Sequence, residues 1–230
     1  MTVSPAAASA LFEAIRTGND LAVDMQVSVN KELLRIHDEA GLSPVVAAAS
    51  AGHTALAERL AAKLGKSVDG IGFFDAAAVG NVPAVRHLLA TDMASVDDRG
   101  PDGCTALHLA ARFGQMEVAR LLLGRGADPN AITLNDERGT PLYTSIVSKH
   151  RDMASLLLAL GASPNSVQRG GWTALHAAAR NGDQTIVNML QLRGADPTRA
   201  SDDGHTAIDL AEENGHGALA KVLRMAAVKR

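Results

Sequence analysis

The chain has 230 residues, 47% hydrophobic and 20% charged, a balance that excludes a disordered tail and allows a packed core. Aromatic residues make up only 3%, so that core is built from alanine and aliphatic side chains rather than large rings. A formal net charge of −3 does not suggest a polyanion-binding protein. The single cysteine, Cys104, cannot form an internal disulfide, so the framework must hold by packing. The N-terminal stretch MTVSPAAASALFEAIRTG has no basic segment followed by a long apolar run, and no stretch approaches eighteen apolar residues. A cytoplasmic chain is expected.

In chain order, the sequence reads as a series of similar units. Helix-start markers fall at Ser9, Ser43, Ile71, Thr105, Thr140, Thr173 and Thr206, with steps of 34, 28, 34, 35, 33 and 33 residues. A period near 33 predicts a repeat architecture rather than one globular core. The predicted units span about 4–37, 38–65, 66–99, 100–134, 135–167, 168–200 and 201–230, the last a C-terminal cap, all in one domain. The first three, with SALFEAIRTGN, GLSPVVAAASAGH and GIGFFDAAAVGN, keep a helix followed by glycine but lose the Thr or the His of the later ones. Between Gly65 and Gly70 there is too little chain for a normal loop, which predicts a truncated hairpin and a bend there.

The fourth unit is complete. Asp102-Gly103 predicts a turn, Thr105 an N-cap, and Ala106 to Ala111 a helix with a packed face that Gly114 ends. Val118, Leu121 and Leu122 then carry helical spacing, and Gly126 supplies a left-handed cap before Ala127-Asp128-Pro129-Asn130. The fifth, sixth and seventh units repeat the pattern as RGTPLYTSIVSKH with LLLALGASPN, GWTALHAAARNGD with LQLRGADPT, and GHTAIDLAEENGH. The last of these has Asp209 where the others have His, and its polar Lys221, Arg224, Lys229 and Arg230 suit the wet face of a terminal cap and a chain that ends there.

These blocks resemble ankyrin repeats, whose pattern is a glycine turn, T-P-L-H-x-A-A, a Gly-His step, a V-x-x-L-L helix and G-A-D-x-N. The resemblance covers almost the whole chain and implies an all-α solenoid of about seven helix-turn-helix units with short hairpin fingers. It also implies a non-catalytic protein-binding scaffold with its partner on the concave surface made by fingers and first helices. Between GCTALHLAARFG and GWTALHAAARNG the changed positions are Cys104 against Trp172, Leu109 against Ala177 and Phe113 against Asn181. The first and last pairs are expected to point outward, whereas Leu109 and Ala177 adjust core size. The expected partner surface comprises Arg112, Phe113, Arg138, Arg169, Trp172, Arg180, Asn181 and His205, an aromatic flanked by arginines being the composition of interface anchors. The plainer reading is a Trp lying over its neighbouring finger with arginines covering their own helices. An acidic or amphipathic protein segment is the expected ligand and a monomer the expected state. A dedicated inhibitor, immunity factor or regulatory subunit is the alternative reading.

Other chemistry finds less support. His108 and His176 follow their helix caps by three residues, where a ring bonds locally, and two such rings two units apart lie roughly 20 Å from each other, beyond the reach of one zinc. His53, His150 and His216 belong to the Gly-His steps, and His37 and His87 have no partner at ligand spacing. Cys104 and His108 are four residues apart, but their spacing is that of the repeat and no third group orients the histidine. Gly70 and Gly72 precede a helix but lack the third glycine and the preceding strand of a phosphate loop. No catalytic residue, cofactor or metal is therefore assigned. Nucleic acid is disfavoured because the arginines at 112, 138, 169, 180 and 199 are interleaved with Asp102, Asp136, Glu137, Asp202 and Asp203. No membrane association is expected.

Overall fold

The computed structural model describes residues 3–64, 72–91 and 93–228, and it divides into two compact units, Met1–Ala127 and Asp128–Arg230. The proposed truncated hairpin at Gly65 to Gly70, the marker Ile71 and the terminal Lys229 and Arg230 lie outside the described residues. In the first unit the α-helices are α1 (Pro5–Arg16), α2 (Asp20–Val29), α3 (Pro44–Ser50), α4 (Thr54–Leu64), α5 (Phe73–Val79), α6 (Val82–Ala90), α7 (Ala106–Phe113) and α8 (Met116–Gly124). In the second they are α9 (Pro141–Val147), α10 (Arg151–Ala159), α11 (Ala174–Arg180), α12 (Gln184–Leu192), α13 (Ala207–Glu213) and α14 (Gly217–Val228). No sheet occurs among the described residues, and the fold is all-α, as the repeat pattern predicts.

The two helices of each pair pack on each other, and the first helices pack side by side: α1 on α3, α3 on α5 and α5 on α7 in one unit, α9 on α11 and α11 on α13 in the other. Local chemistry sets where they begin. The hydroxyls of Ser4, Ser43, Thr105, Thr140 and Thr206 accept from the backbone N–H three residues on, at 3.1–3.4 Å. Proline opens α1, α3 and α9, where its fixed φ suits a helix and its missing N–H costs nothing. Asn19, Asn81 and Asp183 cap second helices in the same manner.

One start differs from the sequence pattern. Ser9 lies inside α1, and the capping residue is Ser4, because Pro5 at the first helical position starts the helix a turn earlier. The first repeat thus holds a 12-residue first helix, longer than its counterparts.

Between the helix pairs the chain makes fingers closed by one recurrent main-chain bond. Asp38 N–H to Leu42 O and Gly100 N–H to Cys104 O close fingers in the first unit. Thr133 N–H to Gly139 O, Gln168 N–H to Trp172 O and Ser201 N–H to His205 O do so in the second. Successive fingers of the second unit are bonded to each other, Arg169 N–H to Glu137 O at 3.1 Å and Asp202 N–H to Gly170 O at 2.8 Å. Gly171 permits this approach: its φ is +76°, and a Cβ there would stand 2.7 Å from the Asp202 nitrogen. The Asn of each G-A-x-P-N segment also links neighbours. Asn130 donates to Gly161 O and accepts from Ser163 N–H, and Asn165 does likewise with Gly194 O and Asp196 N–H.

The Gly-His step has a packing explanation. At Gly182, with φ +71°, an added Cβ would fall 2.5 Å from the His216 ring, and at Gly18, 2.7 Å from the His53 ring. The histidine of one repeat therefore occupies space that only glycine leaves open in the repeat before it.

Candidate functional site

In the second unit, Trp172 emerges where the finger ends and α11 begins. Its ring is half-buried, tilted against the buried His176 ring at 5.8 Å between centroids, and the Arg180 guanidinium lies 5.8 Å over its face. A cation so placed is attracted by the negative face of the indole. The helix supplies the geometry: Thr173 caps α11, His176 closes its first turn, and Arg180 is its last residue, exposed one turn beyond His176.

His176 is the fixed point beneath the ring. Its Nδ1 accepts from the Thr173 backbone N–H at 3.1 Å, with the Thr173 hydroxyl 2.8 Å away, and its Nε2 lies 3.1 Å from His205 O. An acceptor role for Nδ1 puts the proton on Nε2, which donates to that carbonyl and ties α11 to the next finger. Burial holds its pKa below the ordinary imidazole value of 6.5, against the pull of the backbone carbonyls of His205 and Arg199. The folded chain thus prefers the neutral ring. This contribution to stability is complete above the unfolded value and is lost as pH falls below 6.5 and through the lower folded value. Denaturant midpoints of the wild type should fall between pH 7.5 and pH 5, and His176→Gln should flatten that fall; an equal fall in the variant would assign it to other groups.

The other expected residues divide by environment. Arg138, in the finger before α9, is exposed and holds φ +51°, a left-handed conformation that costs a non-glycine residue energy. Arg169 is exposed in the following finger, its Nη1 3.8 Å from Asp136 Oδ2 in an open ion pair. Tyr143 of α9 joins this group although the sequence pattern did not single it out. Burial raises its pKa, with Arg180 lowering it and Glu137 raising it, so all three side chains share one field. Its signal was an aromatic ring in RGTPLYTS at the place of the repeat histidine.

His205 is half-buried between two carboxylates, Nδ1 3.3 Å from Asp203 Oδ2 and Nε2 3.2 Å from Glu213 Oε1. Its ring is already engaged within its own repeat. Asn181, expected to point outward, is exposed, but its Nδ2 donates to Ile146 O at 3.0 Å, so the amide joins adjacent repeats.

Arg112 and Phe113 belong to the first unit, and both are half-buried. Phe113 packs on the cluster of Val46, Ala78, Cys104 and Leu109, which corrects its expected outward placement. Cys104 is corrected likewise: it is 1% exposed inside that cluster, its small side chain fitting where an indole could not. Among the described residues no three or more His, Cys, Asp or Glu side chains are gathered as a metal site. No helix among them is long and apolar enough to cross a membrane.

Comparison with known proteins agrees with this architecture. A family model described as ankyrin repeats, three copies, matches residues 73–168, 132–201 and 161–229. The chain is similar to the B-cell lymphoma 3 protein homolog of Mus musculus, 39% identical over 84 residues, which are 36% of this chain and 18% of that protein. Ankyrin repeat and SOCS box protein 3 of Bos taurus is 34% identical over 112 residues, 47% of this chain and 21% of that one. Glycerophosphocholine phosphodiesterase gde1 of Schizosaccharomyces pombe is 37% identical over 78 residues, 34% of this chain and 7% of that enzyme. The chain therefore spans less than a quarter of the length of each of these relatives.

Proposed function

The chain belongs to the ankyrin-repeat family, a family of protein-binding modules, and from that premise we propose that it is a non-catalytic cytoplasmic scaffold that holds a protein partner against the fingers and first helices of its second unit. The observation that carries this reading is Trp172, seated on buried His176 and covered by exposed Arg180. A large ring fixed before binding gives contact area with little further loss of side-chain freedom. Arg138 and Arg169 stand on neighbouring fingers, so an acidic or amphipathic segment matches the surface in charge and in apolar character.

Phe113 contributes packing, Asn181 shapes the surface through its bond to the neighbouring repeat, and His205 does so through its pairs with Asp203 and Glu213 in its own repeat. One tight partner in fixed stoichiometry would mark a dedicated inhibitor or regulatory subunit, and many weak partners a general scaffold.

Trp172 is the only tryptophan in the chain, which makes it a reporter of its own surface. Titration with a partner isolated on the wild-type protein should blue-shift the indole emission and protect it from acrylamide. Unchanged emission and quenching at saturation would place the partner away from this surface.

A further inference from the structure

The third repeat departs from the others at the start of its first helix. Helices α7, α11 and α13 each begin at a threonine and place His or Asp three residues on, closing a reciprocal cap. Helix α5 instead begins after Gly72, which has no side chain to offer, and places Asp75 at the third position. Released from capping, Asp75 reaches the preceding repeat, where its Oδ1 accepts a 2.5 Å hydrogen bond from Ser43 Oγ. Its Oδ2 has no hydrogen-bond partner among the described residues.

That carboxyl lines a cavity of about 400 Å³ within the first unit, in the size range of small-molecule sites. Phe73 and Phe74 line it too, edge to face at 5.6 Å, as do the aliphatic side chains of Leu42, Val46 and Leu109. The fingers of the second and fourth repeats meet beside it. A Cβ on Gly41, whose φ is +78°, would stand 2.6 Å from the Pro101 carbonyl carbon, and Gly41 and Pro101 both border the cavity.

We propose that this cavity binds a small organic ammonium with an apolar body, its cation on Asp75 Oδ2 and its body against Phe74 and the aliphatic wall. The carboxyl sits among Phe73, Phe74 and aliphatic side chains with Ser43 as its one hydrogen-bond donor, an arrangement in which a negative charge is costly. A ligand cation supplies the missing partner, and an apolar body fills the aromatic and aliphatic part of the cavity. Burial pushes the Asp75 pKa up, against the lowering effects of the Ser43 hydrogen bond and His37. Where the carboxyl is protonated, the ligand enters as the ammonium ion and the carboxyl proton passes to solvent, so charge balances. The other charged or titratable groups lining the cavity are Arg35, His37 and Asp102; Arg35 and His37 are exposed, so water and salt weaken their repulsion of a cation. Asp102 adds negative field.

The test compares 2-phenylethylammonium with 2-phenylethanol, which keeps the ring and removes the charge. Binding is followed by NMR shifts of the wild-type protein and of Asp75→Asn at pH 7.5. The amine should bind the wild type at least tenfold more tightly than the alcohol, and Asp75→Asn should erase that difference. The variant keeps an oxygen for Ser43. Since the raised carboxyl pKa means stability is lost as pH rises above 3.8 through the folded value, removing the charge should raise the thermal midpoint at neutral pH. No saturable shifts at millimolar amine would overturn the proposal, as would equal affinity for amine and alcohol, or amine binding unchanged in Asp75→Asn. The wild-type comparison decides the matter even if the variant does not fold.

Discussion

Leu175→Ala should lower unfolding free energy by about 2–5 kcal/mol, one of the two largest effects expected of a single change. Leu175 is 1% exposed, and its helix α11 packs against both α9 and α13. Truncation removes apolar burial and leaves a cavity, and each helix here is too short to be stable by itself. In a repeat protein, stability is a sum of weak intrinsic terms and strong interfaces between neighbours, so a defect in a middle repeat damages two interfaces at once. Leu192→Ala is the matched control, because Leu192 ends α12 with 85% exposure and should cost less than about 0.5 kcal/mol. Urea unfolding followed by circular dichroism separates the two. Equal losses would mean that α11 is not the packed centre of its unit.

The second large effect concerns binding. Trp172→Ala should weaken the partner complex by about 2 kcal/mol or more, roughly thirtyfold, and Arg180→Glu should weaken it through charge. The alanine variant removes the ring between His176 and Arg180. The charge reversal removes the guanidinium from the indole face and adds a carboxylate to a field that Glu137 already makes negative around Tyr143. Arg180 is exposed at the helix end and Trp172 only half-buried, so neither change opens a core. Calorimetry with the isolated partner would measure both. Losses below about twofold would remove these residues from the interface.

How far the sequence speaks for this molecule depends on what each position must do. Thr105, Thr173, His108 and His176 were readable as scaffold because caps and their reciprocal partners need fixed types at fixed spacing. Depth within the fold was harder to read. Cys104 and Trp172 occupy one register, yet the thiol is enclosed by Val46, Ala78 and Leu109 while the indole, too large for such a slot, lies partly outside. Phe113 turns to the same apolar cluster because its ring is apolar, whereas the polar Asn181 of the same register stays exposed and bonds to Ile146 O. Register brings two side chains to one place, and their volume and polarity decide how deep each goes.

Tyr143 was missed because it sits at the histidine position, where scaffold chemistry is the ordinary expectation. The approach of Gly41 to Pro101 was beyond reach, since a period in the sequence does not tell which fingers touch. Asn181 illustrates the converse: a variable residue whose amide joins Ile146 to the next repeat. Variation between two repeats marked where surface chemistry changes, but some of those changes serve the joints between repeats.

The most direct test of the binding account is affinity capture from native lysate in parallel on wild type and on the Trp172→Ala/Arg180→Glu double variant, after circular dichroism has shown equal folding. The account predicts a protein retained by the wild type and depleted on the variant, read by mass spectrometry. A protein retained equally by both would contradict the assignment of the partner surface to Trp172 and Arg180.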